Sequence, residues 1–512
     1  MRQKWLGSIF RHRFVVVLLL IIQIAILVYI IISTSAASSW INLALTIFSF
    51  FAALYIVGSP REKNPYKLTW IFLILIFPVF GGLLYLLYRI QSSFHHFGRR
   101  FKTMLEESKS LLNDSDYALE MAVKETPELA TQINFLQSYA GFPIYNHTEY
   151  EYYTQGKTMF KSLIDELYKA EKYIFMEYYI IEEGVMWNSI LDILRQKAAS
   201  GIEVRVLYDD FGCFKRLPAD YPQQLNAMGI KCHVFNPFRP FLSVVQNNRD
   251  HRKITVIDGK VAFTGGINLA DEYINLKSSL GYWKDIGIMV KGLAVRSFVL
   301  MFLQMWNFSQ NSSEQLNTYL PSNNDFKECP DDGFIQPFCD NPINEDNIGE
   351  QVYLQIINNA KQYVYLTTPY LLPDDNMLTA LKLAAKSNVD VRIITPGHWD
   401  KYLVHIANRA YYRELIRGGI KVYEYKKGFV HGKSIIADDK TAVVGTINLD
   451  YRSFYLHFEC GVHLYNSRVI PEIKKDILET ISNSYLVQRE DCIHNAFTRL
   501  IQEIARLISP LM

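Results

Sequence analysis

Two stretches of the chain repeat one arrangement of polar residues. In the first, His251 and Lys253 are followed by Asp258 and then by Gly265, Gly266, Ile267 and Asn268. In the second, His431 and Lys433 are followed by Asp438 and then by Gly445, Thr446, Ile447 and Asn448. The spacing is the same in both: two residues from His to Lys, five from Lys to Asp and ten from Asp to Asn. A lone His-x-Lys is ordinarily a surface strand and a lone Gly-rich loop ordinarily a turn, so it is the repeated conjunction that points to chemistry. On an extended strand, residues i and i+2 share a face. A turn at Asp258-Gly259 or Asp438-Asp439 then reverses the chain, and the small residues let each Asn approach closely.

Each repeat offers one imidazole, one ammonium and one amide, and the two together offer two of each. That set suits phosphoryl transfer on a diester. Lys253, Lys433, Asn268 and Asn448 can hold the equatorial oxygens of a pentacoordinate transition state. One histidine can attack phosphorus while the other protonates the leaving alkoxide. Imidazole titrates near neutral pH and can fill both roles. The lysines supply the charge, so neither metal nor cofactor is called for. Asp258 and Asp438, taken alone, read as turn and ion-pair residues rather than catalysts.

The elements that must position these residues alternate. Helical spacing over 160–172 precedes a strand-like run at 173–181, a helix at 190–199 and a short β-branched strand at 202–208. The rhythm recurs at 363–372, 376–386 and 389–394, where VDVRII echoes IEVRVL. Such βαβ alternation predicts an α/β fold with mostly parallel sheets flanked by helices. Two copies predict two similar domains packed as a pseudo-twofold pair, with the active site at their interface. The expected division is a membrane anchor at 1–90, a juxtamembrane linker at 91–135, a first domain at 136–309, a linker at 310–350 and a second domain at 351–512.

Composition sets the surroundings. The 512 residues are 49% hydrophobic, and the mean hydropathy of +0.01 is high for an enzyme of this size. An aromatic content of 14% excludes intrinsic disorder. The net charge of +2 is unevenly spread: residues 1–102 hold eleven Lys/Arg against Glu62 alone, or +10, leaving −8 for the rest. A mildly acidic body excludes a general nucleic-acid binder. Six scattered cysteines without a CxxC pair exclude a zinc framework.

Apolar stretches at 14–32, 41–57 and 68–88 read as transmembrane or re-entrant segments. Pro78, Gly81 and Gly82 favour re-entry for the third. By the positive-inside bias, the N-terminus and the body then lie in the cytoplasm.

The residues carrying the paired motif resemble the duplicated signature of the phospholipase D superfamily. The run from Asn247 to Gly259, the run from Gly265 to Tyr273, the Gly428–Lys433 stretch and the run from Gly445 to Phe454 with Glu459 resemble bacterial cardiolipin synthases. The segment from Asn64 to Gly82 and the ending Arg506–Met512 fit as well, so the resemblance covers essentially the whole chain. One departure is Gly287, where that family often has a histidine; this puts an accessory contact in doubt.

The resemblance implies a bacterial, multi-pass cell-membrane enzyme. It would transfer a phosphatidyl group from one phosphatidylglycerol to another, giving cardiolipin and glycerol through a phosphohistidine. The signature makes His251, Lys253, Asp258, His431, Lys433 and Asp438 the catalytic set, with Asn268 and Asn448 on the substrate phosphate. By analogy His251 is the nucleophile and His431 the general acid and then base, an order that the pseudo-twofold leaves open. Asp285 and Glu459 are the candidates for orienting the imidazoles, or else form a fold-stabilising ion pair.

The implied partners are phosphatidylglycerol and cardiolipin in the membrane, with no nucleic acid; a homo-oligomer is compatible. The alternative activity is a membrane-bound phosphatidyl hydrolase of the phospholipase D type or another phosphatidyltransferase. Within 234–245, Phe235, Phe238, Phe241 and Leu242, with Arg239, form either a lip dipping into the bilayer interface or a buried core loop. Tyr179 and Tyr370 occupy matching repeat positions, at the pocket mouth or in ordinary packing.

Overall fold

The structure is a computed structural model describing residues 36–512, except 59–63, 78–80, 83–84, 86–92, 113–115, 238–243, 278, 311, 313, 322–331, 345 and 512. The expected span at 14–32 and the core of the expected lip, with Phe238, Arg239, Phe241 and Leu242, lie outside the described residues.

The first half contributes β1 (Glu149–Tyr153), β2 (Tyr173–Tyr178), β3 (Glu203–Asp209), β4 (Lys231–Phe235), β5 (Arg249–Asp250), β6 (Lys253–Ile257), β7 (Val261–Gly265), β8 (Tyr282–Lys284) and β9 (Gly287–Lys291). The second contributes β10 (Phe334–Asp340), β11 (Tyr363–Thr367), β12 (Asp390–Pro396), β13 (Lys421–Tyr425), β14 (Gly428–Val430), β15 (Ser434–Ala437), β16 (Thr441–Gly445), β17 (His457–Tyr465) and β18 (Ser484–Leu486).

One sheet runs β1-β9-β7-β6-β2-β3-β4 and the other β10-β17-β16-β15-β11-β12-β13-β18. Position for position the two orders match, with β18 added at the end of the second. The repeat read from the sequence is therefore a repeat of topology.

The sheets are mixed rather than mostly parallel. Parallel pairing is confined to β2-β3-β4 and β11-β12-β13 in the body of each sheet, where helices connect the strands. From β2 outward through β6, β7, β9 and β1 every ladder is antiparallel, as is its counterpart from β11 to β10. The cause is local. Asp258 and Asp438 adopt φ of 54°, and Gly259 and Asp439 follow at positive φ. Each pair folds the chain straight back on its neighbour as a hairpin.

Two expected linkers are parts of the packed body. β10, inside the segment read as linker 310–350, is buried throughout and pairs with β17; the Asn, Ser and Pro around it conceal a seven-residue strand. The helix Ser93–Leu111, inside the expected linker 91–135, buries Phe101 edge-on against Phe308 at 5.4 Å and Phe458 at 5.1 Å. The helix Val295–Gln310 is buried along most of its length. Its apolar residues share one core with residues of both sheets, so the halves are joined by hydrophobic burial as well as by polar contacts.

At the N-terminal end, the helices Ala36–Val57 and Asn64–Ile76 meet around Ile56, Trp70, Ile74 and Tyr85. Several side chains of the first helix lie outside the described set. Among the described residues no helix is long and apolar enough to cross a membrane.

Candidate active site

Two short strands cross between the halves and assemble the site. β5, leading into His251, pairs in parallel with the start of β17; β14, leading into His431, pairs in parallel with β8. The register is held at the histidines themselves: the His251 amide donates to the Phe458 carbonyl at 2.9 Å, and the His431 amide to the Lys284 carbonyl at 2.7 Å.

Each histidine is thereby set beside an acid of the other half. His251 Nδ1 lies 3.0 Å from both carboxylate oxygens of Glu459, and His431 Nδ1 lies 2.6 Å from Asp285 Oδ2. A carboxylate only accepts, so both contacts assign the proton to Nδ1 and leave Nε2 with its lone pair. Lys433 Nζ at 2.9 Å from His431 Nδ1 is then an electrostatic neighbour rather than a donor to that atom.

The two acids are supported differently. Gly266 must lack a side chain because a Cβ there would strike the Asp285 carboxylate, and the Asp285 oxygen accepts from the Ile286 amide at 2.9 Å. In the second repeat Thr446 stands in the place of Gly266, and its hydroxyl donates to Glu459; Ser453 Oγ donates to the same carboxylate at 2.8 Å.

A cavity of about 720 Å³ is lined by His251, His431, Asn268, Asn448, Tyr179 and Tyr370, among others. Both tyrosines of the matching repeat positions therefore stand on its wall. Lys253 and Lys433 are buried behind it, each donating to the carbonyl of its own histidine. Asn268 is internally satisfied: its Oδ1 accepts from the Ile180 amide at 3.0 Å and its Nδ2 donates to the Tyr273 hydroxyl at 2.8 Å. Asn448 Oδ1 is buried with no partner among the described residues.

Asp258 and Asp438, grouped with the catalytic set in the sequence, are not part of the cavity. Asp258 accepts from the amides of Glu171, Lys172 and Tyr173 at 2.7–2.8 Å, and Asp438 from those of Lys361, Gln362 and Tyr363 at 2.7–2.9 Å. They sit at the opposite end of β6 and β15 from the histidines, tying each hairpin to the start of the adjoining strand. Gly287 is equally structural, since a Cβ there would meet Met159 Sδ. A histidine at that position would require the Met159 side chain to move aside.

Burial and charge tune the remaining groups. Burial, with Lys253, Lys433 and His431 nearby, holds His251 well below its ordinary value. Burial and Lys433 hold His431 down to about 4, opposed by Asp285. Burial also lowers Lys253 to about 8 and Lys433 to about 7. Asp285 stays below the usual carboxylate range despite its burial because His431 and Lys433 face it. Both imidazoles are thus neutral at pH 7, and an incoming anion stabilises the protonated form of every base around it.

Sequence reasoning missed His457. It lines the cavity with its ring centroid 5.5 Å from that of His251, and neither ring nitrogen has a hydrogen-bond partner among the described residues. The signal was present in its position two residues before Glu459. Donor atoms of His251, His457 and Glu459 lie within 4.8 Å of one another, a set that could accept a metal ion.

The fold and this paired site define the class as a two-domain phospholipase D-like protein. The family profile described as "Cardiolipin synthase, PLD-like domain" matches residues 163–285 and 353–481, and a profile described as "Phospholipase_D-nuclease N-terminal" matches 45–89. A protein of Streptococcus mutans described as uncharacterized is 43% identical over 466 residues, covering 90% of this chain and 99% of its own. Cardiolipin synthases of Alkalihalophilus pseudofirmus and Geobacillus kaustophilus are each 34% identical, covering 94% and 96% of this chain and 96% and 99% of theirs. A phosphatidylserine synthase structure from Haemophilus influenzae aligns at 14% identity with a TM-score of 0.55, over 71% of this chain and 95% of that one, a likeness of fold. The chain belongs to the cardiolipin synthase family of the phospholipase D superfamily.

Proposed function

We propose that this protein is a cardiolipin synthase, joining two phosphatidylglycerols into cardiolipin with release of glycerol. The observation that carries the reading is the pair of Nδ1-anchored histidines at one cavity, each held by a carboxylate of the opposite half. It accounts for a two-step transfer in which the same centre is entered twice.

His251 Nε2 attacks phosphorus of the first phosphatidylglycerol. The bond to the glycerol oxygen breaks, and that oxygen takes a proton from His431 Nε2. The phosphate's negative charge, brought into a buried site, raises the proton affinity of His431 and lets it enter as imidazolium. The primary hydroxyl of a second phosphatidylglycerol then gives its proton to His431 and attacks the phosphohistidine, which restores His251. Lys253, Lys433 and Asn448 offset the charge on the equatorial oxygens. The neutral state of His251 suits a nucleophile. The carboxylate of Asp285 at 2.6 Å from His431 Nδ1, which raises the proton affinity of that ring, suits the proton carrier.

The basic, apolar segment 1–90 holds the body at the cell membrane, where both lipids reside, with the body on the cytoplasmic side. The basic excess of that segment and the exposed Trp40, Phe50, Phe51 and Leu54 support this placement.

Incubating the purified membrane protein with phosphatidylglycerol labelled in its headgroup tests the reading. Cardiolipin and free glycerol in equal amounts are expected, unaffected by a chelator. Phosphatidic acid as the main product would make the protein a hydrolase instead.

A further inference from the structure

The C-terminal helix, Ala496–Ile508, turns its apolar side away from the protein. Phe497, Leu500, Ile501 and Ile504 follow one another at i, i+3, i+4 and i+7, a single stripe. All four are exposed, Phe497 at 71% and Leu500 at 57%. Ile493, just ahead of the helix, is exposed at 76%. The opposite side is the one that docks: Ala505 is buried, and Arg506 donates to Glu414 at 2.9 Å with its guanidinium 4.4 Å from the centre of the Tyr411 ring. Water is the wrong solvent for that stripe.

On the docked side of the helix lies a cleft of about 380 Å³ whose wall includes Arg409, Arg413, Arg417, Arg489 and Arg499, with Glu490 and Glu503. Arg409 has Glu424 at 3.5 Å. Among the described residues the other four arginines form no ion pair. Arg417 and Arg499 depress the pKa of Arg413, with Glu503 opposing them, so the five arginines outweigh the two acids of the cleft and leave it with an excess of positive charge.

The helix is continuous with the helix Asn64–Ile76 and with the wall of the catalytic cavity. Thr69, in the helix Asn64–Ile76, donates to the Leu507 carbonyl at 2.9 Å, and Ser509 lines the cavity.

We propose that the C-terminal helix and its arginine cleft form a second, noncatalytic site for anionic phospholipids of the bilayer. Headgroup phosphates sit on Arg413, Arg417, Arg489 and Arg499, while the stripe from Ile493 to Ile504 lies in the acyl region. An apolar stripe backed by arginines is the make-up of a helix lying in the membrane interface. Guanidinium forks match phosphate oxygens in pairs. A second copy docked through the same stripe would bring two arginine-rich clefts of net positive charge together, so the bilayer is the favoured occupant. The site would seat the cavity mouth at the lipid surface, whichever reaction the cavity performs.

Hydrogen exchange on the full chain in lipid nanodiscs tests this without reference to turnover. The discs are made of phosphatidylcholine, with or without phosphatidylserine. Phosphatidylserine is expected to slow amide exchange in 493–508 by at least about tenfold, on the scale of a few arginines near an anionic surface. The combined Arg413→Gln, Arg417→Gln and Arg499→Gln variant should lose that slowing while β2 and β6 exchange as before, which shows that it is folded. Leu500→Ser with Ile504→Ser should weaken it as well.

Equal exchange in the two kinds of disc would overturn the proposal. So would slowing reproduced by inorganic phosphate on phosphatidylcholine discs, which would mark a site for free anions. Slowing that grows with protein concentration on those discs would mark self-association and overturn it too.

Discussion

Each imidazole of the site is held by a carboxylate from the other half of the chain, and this crossing sets what single residues should do. Glu459→Gln and Asp285→Asn keep the size of the side chain but can donate where only acceptance is compatible with a proton on Nδ1. Each should lower kcat by roughly 10²–10⁴ with little change in KM, the scale of a mispositioned acid–base group. Steady-state kinetics on short-chain phosphatidylglycerol checks this, and wild-type kcat in either variant would show that the acids are only a structural ion pair. The identities of the residues were legible in the sequence because His, Lys and Asn recur at fixed spacing. The resemblance also offered Asp285 and Glu459 as the orienting acids; that each serves the histidine of the other half was not legible, because they reach the histidines through β8 and β17, and which strand meets which across the two halves is a tertiary fact. His457 escaped for a related reason: its place in the cavity wall, with Nδ1 3.6 Å from Glu459, becomes visible only in the fold.

At the scale of elements, the informative residues are Asp258 and Asp438. Their carboxylates each take three backbone amides at the far end of the hairpin strands. A backbone donor left without its acceptor costs about 1–3 kcal/mol. Asp258→Ala and Asp438→Ala should therefore lower the unfolding free energy by roughly that amount or more. The kcat per folded molecule should stay within a few fold of wild type. Denaturant melts paired with active-site titration separate the two effects, and an inactive but fully stable variant would return these residues to the chemistry. Read as residues the two aspartates looked like turn residues, and only the family signature grouped them with the catalytic set; the strand between Lys253 and Asp258 carries the two to opposite ends. The same limit explains the sheets. The βαβ rhythm of 173–208 was readable and gave the parallel part correctly. The antiparallel part depends on two tight turns whose consequence for sheet order is not written in hydrophobic periodicity.

Across the whole molecule, one core and one buried polar seam join the halves. Lys284 meets Asp476 at 2.6 Å, and the Tyr152 hydroxyl donates to the same side chain at 2.9 Å. Neutral histidines are buried along this body: burial holds His431 near 4 and both His457 and His463 near 3. The unfolded chain, with ordinary imidazoles titrating at about 6.5, binds more protons than the folded one on the acid side. The histidines' share of the stability is therefore fully present above about pH 6.5 and falls as the pH drops toward 4, by up to about 1.4 kcal/mol per pH unit for each. Asp209 and Asp340, which burial raises to about 7, act in the opposite sense over the same range. The test is therefore a difference: between pH 7.5 and 5.5 the stability of His463→Gln, away from the cavity, should fall less steeply than that of the wild type, and equal slopes would contradict a buried neutral His463. The uneven charge of the chain, basic over 1–102 and mildly acidic beyond, was legible from composition; that the segment read as a linker at 91–135 packs into the body was not, since Phe101 looks like any other residue of a polar helix.

The central claim is that His251 carries the phosphatidyl group while His431 moves the proton. A phosphodiester with a p-nitrophenol leaving group needs no acid for the first step, so a rapid quench in alkaline denaturant, where a phosphohistidine survives, followed by peptide mapping at alkaline pH tests the claim directly. Wild type and His431→Asn should each release a burst of one nitrophenol per active site and yield a phosphohistidine at His251, whereas His251→Asn should give neither. A burst that survives in His251→Asn with the label on His431 would reverse the roles, and the absence of any phosphohistidine in the wild type would contradict the two-step account.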